Sequence, residues 1–276
     1  MNLYSIFHEI ENADPEVYNR LDTRRSALKG FSAFGKKLAF ATIPIALGSM
    51  FKKAYAGTTG TLETTLDVLN YALTLEYLEA EFYVQGLAKA PIPAGAARAA
   101  IETISKHETA HVAFLTTAIK GAGGVPVAKP NFDFTAGGAF ANVFTNYATF
   151  LAVAQTFEDT GVRAYKGRAA ELVKGGEVLT AALNIHSVEA RHAAHIRSMR
   201  KANGFGDVKP WITGMESGIG AAVQASYNGE GNTMQAGIQI TNINGIAISA
   251  NAASEAFDEG LTKEQVLEIV KPFIVM

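Results

Sequence analysis

Glu108 and His111, and again Glu189 and His192, stand three residues apart inside long stretches whose apolar residues recur at intervals of three and four. Residues three apart share one face of a helix, so each pair aims a carboxylate and an imidazole at a common point. Two further stretches carry a Glu on the same kind of stripe. The first runs Leu62, Leu66, Leu69, Leu73, Glu76, Ala80, Tyr83, Leu87, and the second Ala97, Ile101, Ile104, Glu108, His111, Leu115, Ala118. The third runs Phe144, Tyr147, Leu151, Ala154, Glu158, Gly161, Tyr165, and the fourth Ala182, Ile185, Glu189, His192, Ile196, Met199. Such stripes mark the buried seams of amphipathic helices. A charge left unpaired in that register is strongly destabilising, and the four stripes contain no Lys or Arg. A single seam Glu is more often a salt-bridged core residue than a ligand. Four of them, two with a His at the next inward position, call for a cation. Four carboxylates and two imidazoles on four helices are the ligand pattern of a dinuclear metal site in a helical bundle.

The other histidines cluster around these pairs. Five of the six fall in the second and fourth stretches, as His107, His111, His186, His192 and His195. Only His111 and His192 lie on the seams, and His186 and His195 flank the Glu189/His192 pair as candidate outer partners. The two halves also mirror each other, since Glu76 is followed seven residues later by Tyr83 and Glu158 by Tyr165. A buried Tyr at that spacing can hydrogen-bond a ligating carboxylate or pass an electron to a metal, and it can equally fill an amphipathic core. Tyr83 and Tyr165 are the candidate catalytic residues.

The segments Ala72-Leu73-Thr74-Leu75-Glu76-Tyr77-Leu78-Glu79-Ala80-Glu81-Phe82-Tyr83, His107-Glu108-Thr109-Ala110-His111, Glu158-Asp159-Thr160-Gly161 and Glu189-Ala190-Arg191-His192 resemble the ferritin-like superfamily. Within it the chain looks most like the exported bacterial ferritin-like, desiccation-related proteins. The resemblance implies that Glu76 and Glu158 are terminal carboxylates, that Glu108 and Glu189 bridge two metals, and that His111 and His192 each cap one. It also implies an all-α fold: an antiparallel four-helix bundle over residues 57–202 with one long crossover. The stretch from Gly121 to Phe134 has the length for that crossover, whereas the Pro91-Ile92-Pro93 and Gly175-Gly176 turns are short and join antiparallel neighbours.

Two regions flank the bundle. Thr23-Arg24-Arg25-Ser26-Ala27-Leu28-Lys29 resembles a twin-arginine export signal, and Ala54-Tyr55-Ala56 offers a cleavage site, so residues 1–56 are expected to be removed on passage to the periplasm or the medium. The apolar run from Leu38 to Phe51 is short for a membrane span, and no stable span is expected after processing. Residues 203–276 form an irregular extension with a short hairpin signal near Asn244-Gly245 and a capping box, Thr262 to Gln265, for a terminal helix over Lys263 to Val270. Trp211 is expected to pin this tail, whose role is packing or contact between copies in a homo-oligomer.

Composition narrows the chemistry. The chain has no cysteine, which excludes thiolate ligands, iron–sulfur clusters and disulfides. Beyond residue 56 it carries 16 basic against 21 acidic residues, without the basic footprint that nucleic acid requires. The expected function is that of an exported protein holding two metal ions, iron or else manganese, that acts on oxygen or peroxide in oxidative or desiccation stress. The alternatives are a manganese catalase-like enzyme, an iron-storage protein and a structural stress protein.

Overall fold

The computed structural model of the protein describes residues 62–275. Four long helices carry the four stripes: α1 (Leu62–Lys89), α2 (Ala96–Gly121), α3 (Tyr147–Ala169) and α4 (Glu177–Ala202). Helix α1 packs along α2, and α3 along α4. Helix α3 begins three residues after Phe144, the first residue of its expected stripe, because the Asn146 side chain accepts a hydrogen bond from the Thr149 amide and so caps it. Before α4 the chain makes a 3-10 turn at Ala170–Gly175 in place of a bare glycine turn.

Two apolar clusters fill the bundle. One contains Leu78, Phe82, Ile101, Ile104, Phe150, Phe157 and Ile196. The other contains Leu69, Leu73, Leu115, Ala118, Leu172, Val178 and Ile185. Along each helix the seam acid lies between residues of the two clusters, so the polar site sits in the middle of the core. The first cluster is closed by aromatic packing, with Phe82 stacked on Phe150 at 5.0 Å between centroids and edge-on to Phe157 at 5.1 Å. Gly86 permits it, since a Cβ there would come within 2.2 Å of the Phe150 ring.

The crossover is not bare loop. Its strand β1 (Asn131–Phe132) pairs antiparallel with the last strand, Ile274–Val275, so the chain's C-terminal residues clamp the connection between the two helix hairpins. Before that, the tail contributes a 3-10 turn (Ala221–Ser226), two minimal hairpins, α5 (Ala250–Ser254) and α6 (Lys263–Val270). Asn244 and Gly245 take the left-handed conformation that a two-residue hairpin turn needs. The expected box caps α6, with Thr262 accepting from the Gln265 amide and the Gln265 side chain accepting from Thr262.

The tail is fastened by arginines, and Trp211 is not its anchor: its side chain is half exposed. Arg163 donates to the carbonyls of Ser226, Asn228 and Glu259 and lies 2.7 Å from the Glu230 carboxylate. Arg197 binds Asp159 at 2.6 Å, and Tyr227 donates to the same carboxylate at 2.8 Å. Arg200 donates to Gln155 and to the carbonyls of Phe205 and Gly218. At Gly167 the tail touches α3 so closely that a Cβ would meet the Leu261 carbonyl oxygen at 1.8 Å. The proposed export segment, residues 1–56, lies outside the described residues. Among the described residues no helix is long and apolar enough to cross a membrane.

Candidate metal centre

Each helix delivers its acid to the bundle axis from the register expected of its stripe. Glu76, Glu108, Glu158 and Glu189 are all completely buried, and His192 is buried with them, while His111 is partly covered. Their ligand atoms form two groups, Glu76, Glu108, His111 and Glu189 in one and Glu108, Glu158, Glu189 and His192 in the other, each with its atoms within 4.8 Å of one another.

The two groups share two carboxylates, oxygen by oxygen. His111 Nδ1 lies 3.3 Å from Glu108 Oε2 and 3.1 Å from Glu189 Oε1. His192 Nδ1 lies 2.8 Å from Glu108 Oε1 and 3.2 Å from Glu189 Oε2. Thus Glu108 and Glu189 each turn one oxygen to either side. Glu76 faces only the His111 group, with Oε2 at 3.2 Å, and Glu158 only the His192 group, with Oε2 at 3.3 Å. The remaining oxygens of these two are held by tyrosines from the opposite hairpin. Tyr83 on α1 donates to Glu158 Oε1 on α3 at 2.5 Å, and Tyr165 on α3 donates to Glu76 Oε1 on α1. The Glu-to-Tyr spacing of seven therefore yields two crossed hydrogen bonds.

Hydrogen bonds alone do not satisfy this cluster. An imidazole Nδ1 carries at most one proton, yet each of these faces three carboxylate oxygens. Glu108 Oε1, Glu158 Oε2 and Glu189 Oε1 are buried with no hydrogen-bond partner. The 2.8 Å approach of His192 Nδ1 to Glu108 Oε1 is thus proximity without hydrogen-bond geometry. Buried charges go unpaired at great cost unless a metal coordinates them, and three orphaned oxygens beside two Nδ1 atoms fit divalent cations. Carboxylate and imidazole together are ordinary donors for divalent metal ions.

Electrostatics report the same shortage of positive charge. Burial, reinforced by the field of Glu189, pushes the Glu76 carboxyl well above the ordinary range. Burial likewise raises Glu158 to about 8, against the pull of His192. For Glu108 burial acts upward too, but the neighbouring imidazoles of His111 and His192 outweigh it and hold the group at about 2. Burial disfavours charge on His111, yet its three carboxylate neighbours raise it to about 12, and His192 is raised for the same reason. Burial drives the Tyr83 and Tyr165 hydroxyls upward, so both remain protonated donors.

Two residues join the site without having been singled out. Glu79 is a fifth buried carboxyl, pushed upward by burial and then by the field of Glu189 and Glu158. Gly161 makes room for it, because a Cβ there would stand 2.9 Å from Glu79 Oε1. Its position three residues after Glu76 was a usable signal. His107 Nδ1 lies 2.9 Å from His192 Nε2, and the two rings are nearly parallel at 5.2 Å. If Nδ1 of His192 is to ligate, its Nε2 carries the hydrogen and His107 accepts it. The outer partners sought in His186 and His195 lie elsewhere: His186 Nδ1 meets the Val162 carbonyl at 3.0 Å, and His195 is exposed. Because His107 belongs to α2 and His192 to α4, no spacing within one helix could pair them.

No curated protein matches the chain at a significant level. The family profile described as ferritin-like domain matches residues 64–202, the span from α1 through α4 that brings both ligand groups together. With half of its 276 residues in that match, the chain belongs to the ferritin-like domain family.

Proposed function

We propose that the protein is a dinuclear-metal carboxylate protein, a non-haem di-iron oxidase or peroxidase-like protein acting on oxygen or peroxide. The observation carrying this reading is the sharing of Glu108 and Glu189 between two ligand groups whose carboxylates include three orphaned oxygens. In this reading Glu108 and Glu189 would serve both metals, Glu76 and His111 would hold one, and Glu158 and His192 would hold the other. Four carboxylates offset two divalent charges, and the neutral imidazoles add none. Two redox-active metal ions held by these residues would supply chemistry toward oxygen or peroxide.

The chain's own residues set the conditions for that chemistry. Tyr83 and Tyr165 orient the terminal carboxylates, leaving Oε2 of each free to ligate. His107 holds His192 in the tautomer that ligates through Nδ1. Glu79 holds a proton beside the cluster. The phenylalanines of the first cluster keep water from one side. Export by the twin-arginine route to the periplasm or medium, a role in oxidative or desiccation stress, and packing or copy-to-copy contact by residues 203–276 belong to the same proposal. They rest on the Arg24-Arg25 and Ala54-Tyr55-Ala56 motifs and the family resemblance.

Elemental analysis of protein recovered from its native compartment tests the reading. About two metal ions per chain are expected for this ligand set, and either Glu108→Ala or Glu189→Ala should remove both, because each residue serves both groups. Full loading of either variant would refute the bridging roles. Manganese in place of iron would move the assignment to a catalase-like enzyme.

A further inference from the structure

A second group of acids lies away from the bundle axis, between the outer face of the α3–α4 hairpin and the tail. There a cavity of about 280 Å³ opens to solvent. Helix α3 supplies Asp159 to its wall and α4 supplies His186, while the tail supplies Trp211, Glu230, Phe257 and Asp258. A water takes up roughly 30 Å³, so the space exceeds one water several-fold and approaches the roughly 300–1,000 Å³ of small-molecule sites. Its two aromatic residues are accessible, Trp211 being 51% exposed and Phe257 43%.

The unused polar groups on this wall are acceptors. His186 Nδ1 faces the Val162 carbonyl at 3.0 Å and must carry the hydrogen, which leaves Nε2 of the neutral ring to accept. Glu230, whose side chain is 2% exposed, meets both Arg163 and the Glu259 amide through Oε1, and its Oε2 accepts no hydrogen bond among the described residues. Asp258 Oδ2 is buried without a hydrogen-bond partner, and the Lys166 ammonium stands 3.8 Å from it. The donors nearby are spent. Arg163 and Arg197 are committed to tail carbonyls and to Glu230 and Asp159, and Lys209, Thr213 and the Trp211 indole hold the Glu255 carboxyl below its ordinary range. Among the described residues no Lys or Arg and no hydroxyl or amide side chain lines the space. Of its four acids, Asp159, Glu230 and Glu255 each have a close basic partner in Arg197, Arg163 and Lys209, and only Asp258 lacks one at hydrogen-bonding distance.

We propose that this cavity binds one organic cation, a primary ammonium carried on a short apolar or aromatic body. An ammonium offers three donors and no acceptor, which matches a wall of acceptors without free donors. Its single charge matches the one acid left without a close base. Trp211 and Phe257 give the body apolar contact and the charge a ring to approach. A neutral polyol would bring acceptors as well as donors and find nothing to donate to them. The site is separate from the carboxylate cluster, and the inference does not rest on the dinuclear reading.

Benzylammonium is the probe and benzyl alcohol its neutral counterpart. Calorimetric titration of the full chain should show one saturable benzylammonium site per chain, at least about tenfold tighter than benzyl alcohol, as hydrogen bonds to a charged group allow. Asp258→Asn should erase that preference while helical circular dichroism and metal content stay at wild-type values, and Trp211→Leu should weaken both probes. Lysine blocked as its acetyl amide separates the two sources of such an ammonium. Tighter binding of blocked lysine supports the site and assigns it to the side chain of a protein partner, and tighter binding of benzylammonium assigns it to a free amine. Equal affinity for benzyl alcohol and benzylammonium overturns the proposal. So does benzylammonium binding that Asp258→Asn leaves unchanged, or the absence of binding by any of the three probes to protein that is folded.

Discussion

The two helix hairpins contribute matching ligands from dissimilar surroundings. Hairpin α1–α2 presents its outer face to solvent, with Val84 half exposed and Glu81 paired to Lys129 across a surface contact of 2.8 Å. Helix α3 is buried without interruption from Phe150 to Tyr165, and its outward polar residues, Gln155, Asp159 and Arg163, are enclosed by the tail together with Arg197 and Arg200 of α4. Duplicated chemistry at the axis thus does not require duplicated packing outside it. The ligand seam is a local property of each helix, whereas the outer face of the second hairpin depends on residues 203–276.

The sharpest way to break that comparison is to cut a charge pair on each hairpin. Arg197→Ala or Asp159→Ala leaves a buried charge without its partner and should cost on the order of 3–5 kcal/mol, read by urea unfolding. Glu81→Ala removes an exposed ion pair and should cost about 0–1 kcal/mol. Equal losses would mean that the tail does not distinguish the hairpins.

The shared axis predicts a pH response opposite to that of an ordinary acid cluster. In metal-free protein Glu158 at about 8 and His111 at about 12 retain protons that the unfolded chain releases near 4.5 and 6.5. The folded state then binds more protons, so stability falls as pH rises. The Glu158 contribution is lost between its unfolded value and about 8, and that of His111 from its unfolded value toward about 12. Glu108 runs the other way, but its contribution disappears only as pH falls toward 2. Urea midpoints should therefore drop between about pH 5 and about pH 9 in metal-free protein. Metal displaces those protons and should bind more tightly at the higher pH. A flat apoprotein profile would remove the crowded carboxylates from the bundle axis.

A smaller asymmetry lies inside the site itself. Loss of an outer partner to a ligating His typically weakens metal binding roughly 10–100-fold. His107→Ala should therefore weaken one of the two binding steps in a cobalt titration and spare the other, and His107→Gln, whose side chain can still accept a hydrogen bond, should restore part of the loss. Weakening of both steps alike would show that the His192 group is not distinguished.

The smallest effects are expected where the hairpins are symmetric. Tyr83→Phe and Tyr165→Phe each remove one hydrogen bond to a terminal carboxylate, a change of about 0.5–1.5 kcal/mol in unfolding free energy. The two should agree closely and leave metal content unchanged. A large difference between them would make the crossed bonds unequal and place a further role on one tyrosine.

Much of this protein is determined by sequence alone, because helix geometry turns spacing into direction. Glu76, Glu108, Glu158 and Glu189 reach the axis because intervals of three and four return to one face, and the capping box of α6 is likewise a matter of four consecutive residues. Which oxygen faces which imidazole, the crossing of Tyr83 to Glu158 and Tyr165 to Glu76, and the contact of His107 with His192 depend on how the helices lie beside one another. The same holds for Arg163, Arg197 and Arg200, which on a helical wheel are solvent-facing charges. Only the folded tail removes them from water and supplies the carbonyls and carboxylates that accept their hydrogens. Spacing along one chain segment fixes what shares a face, and contacts between segments are decided by packing, which no single segment encodes.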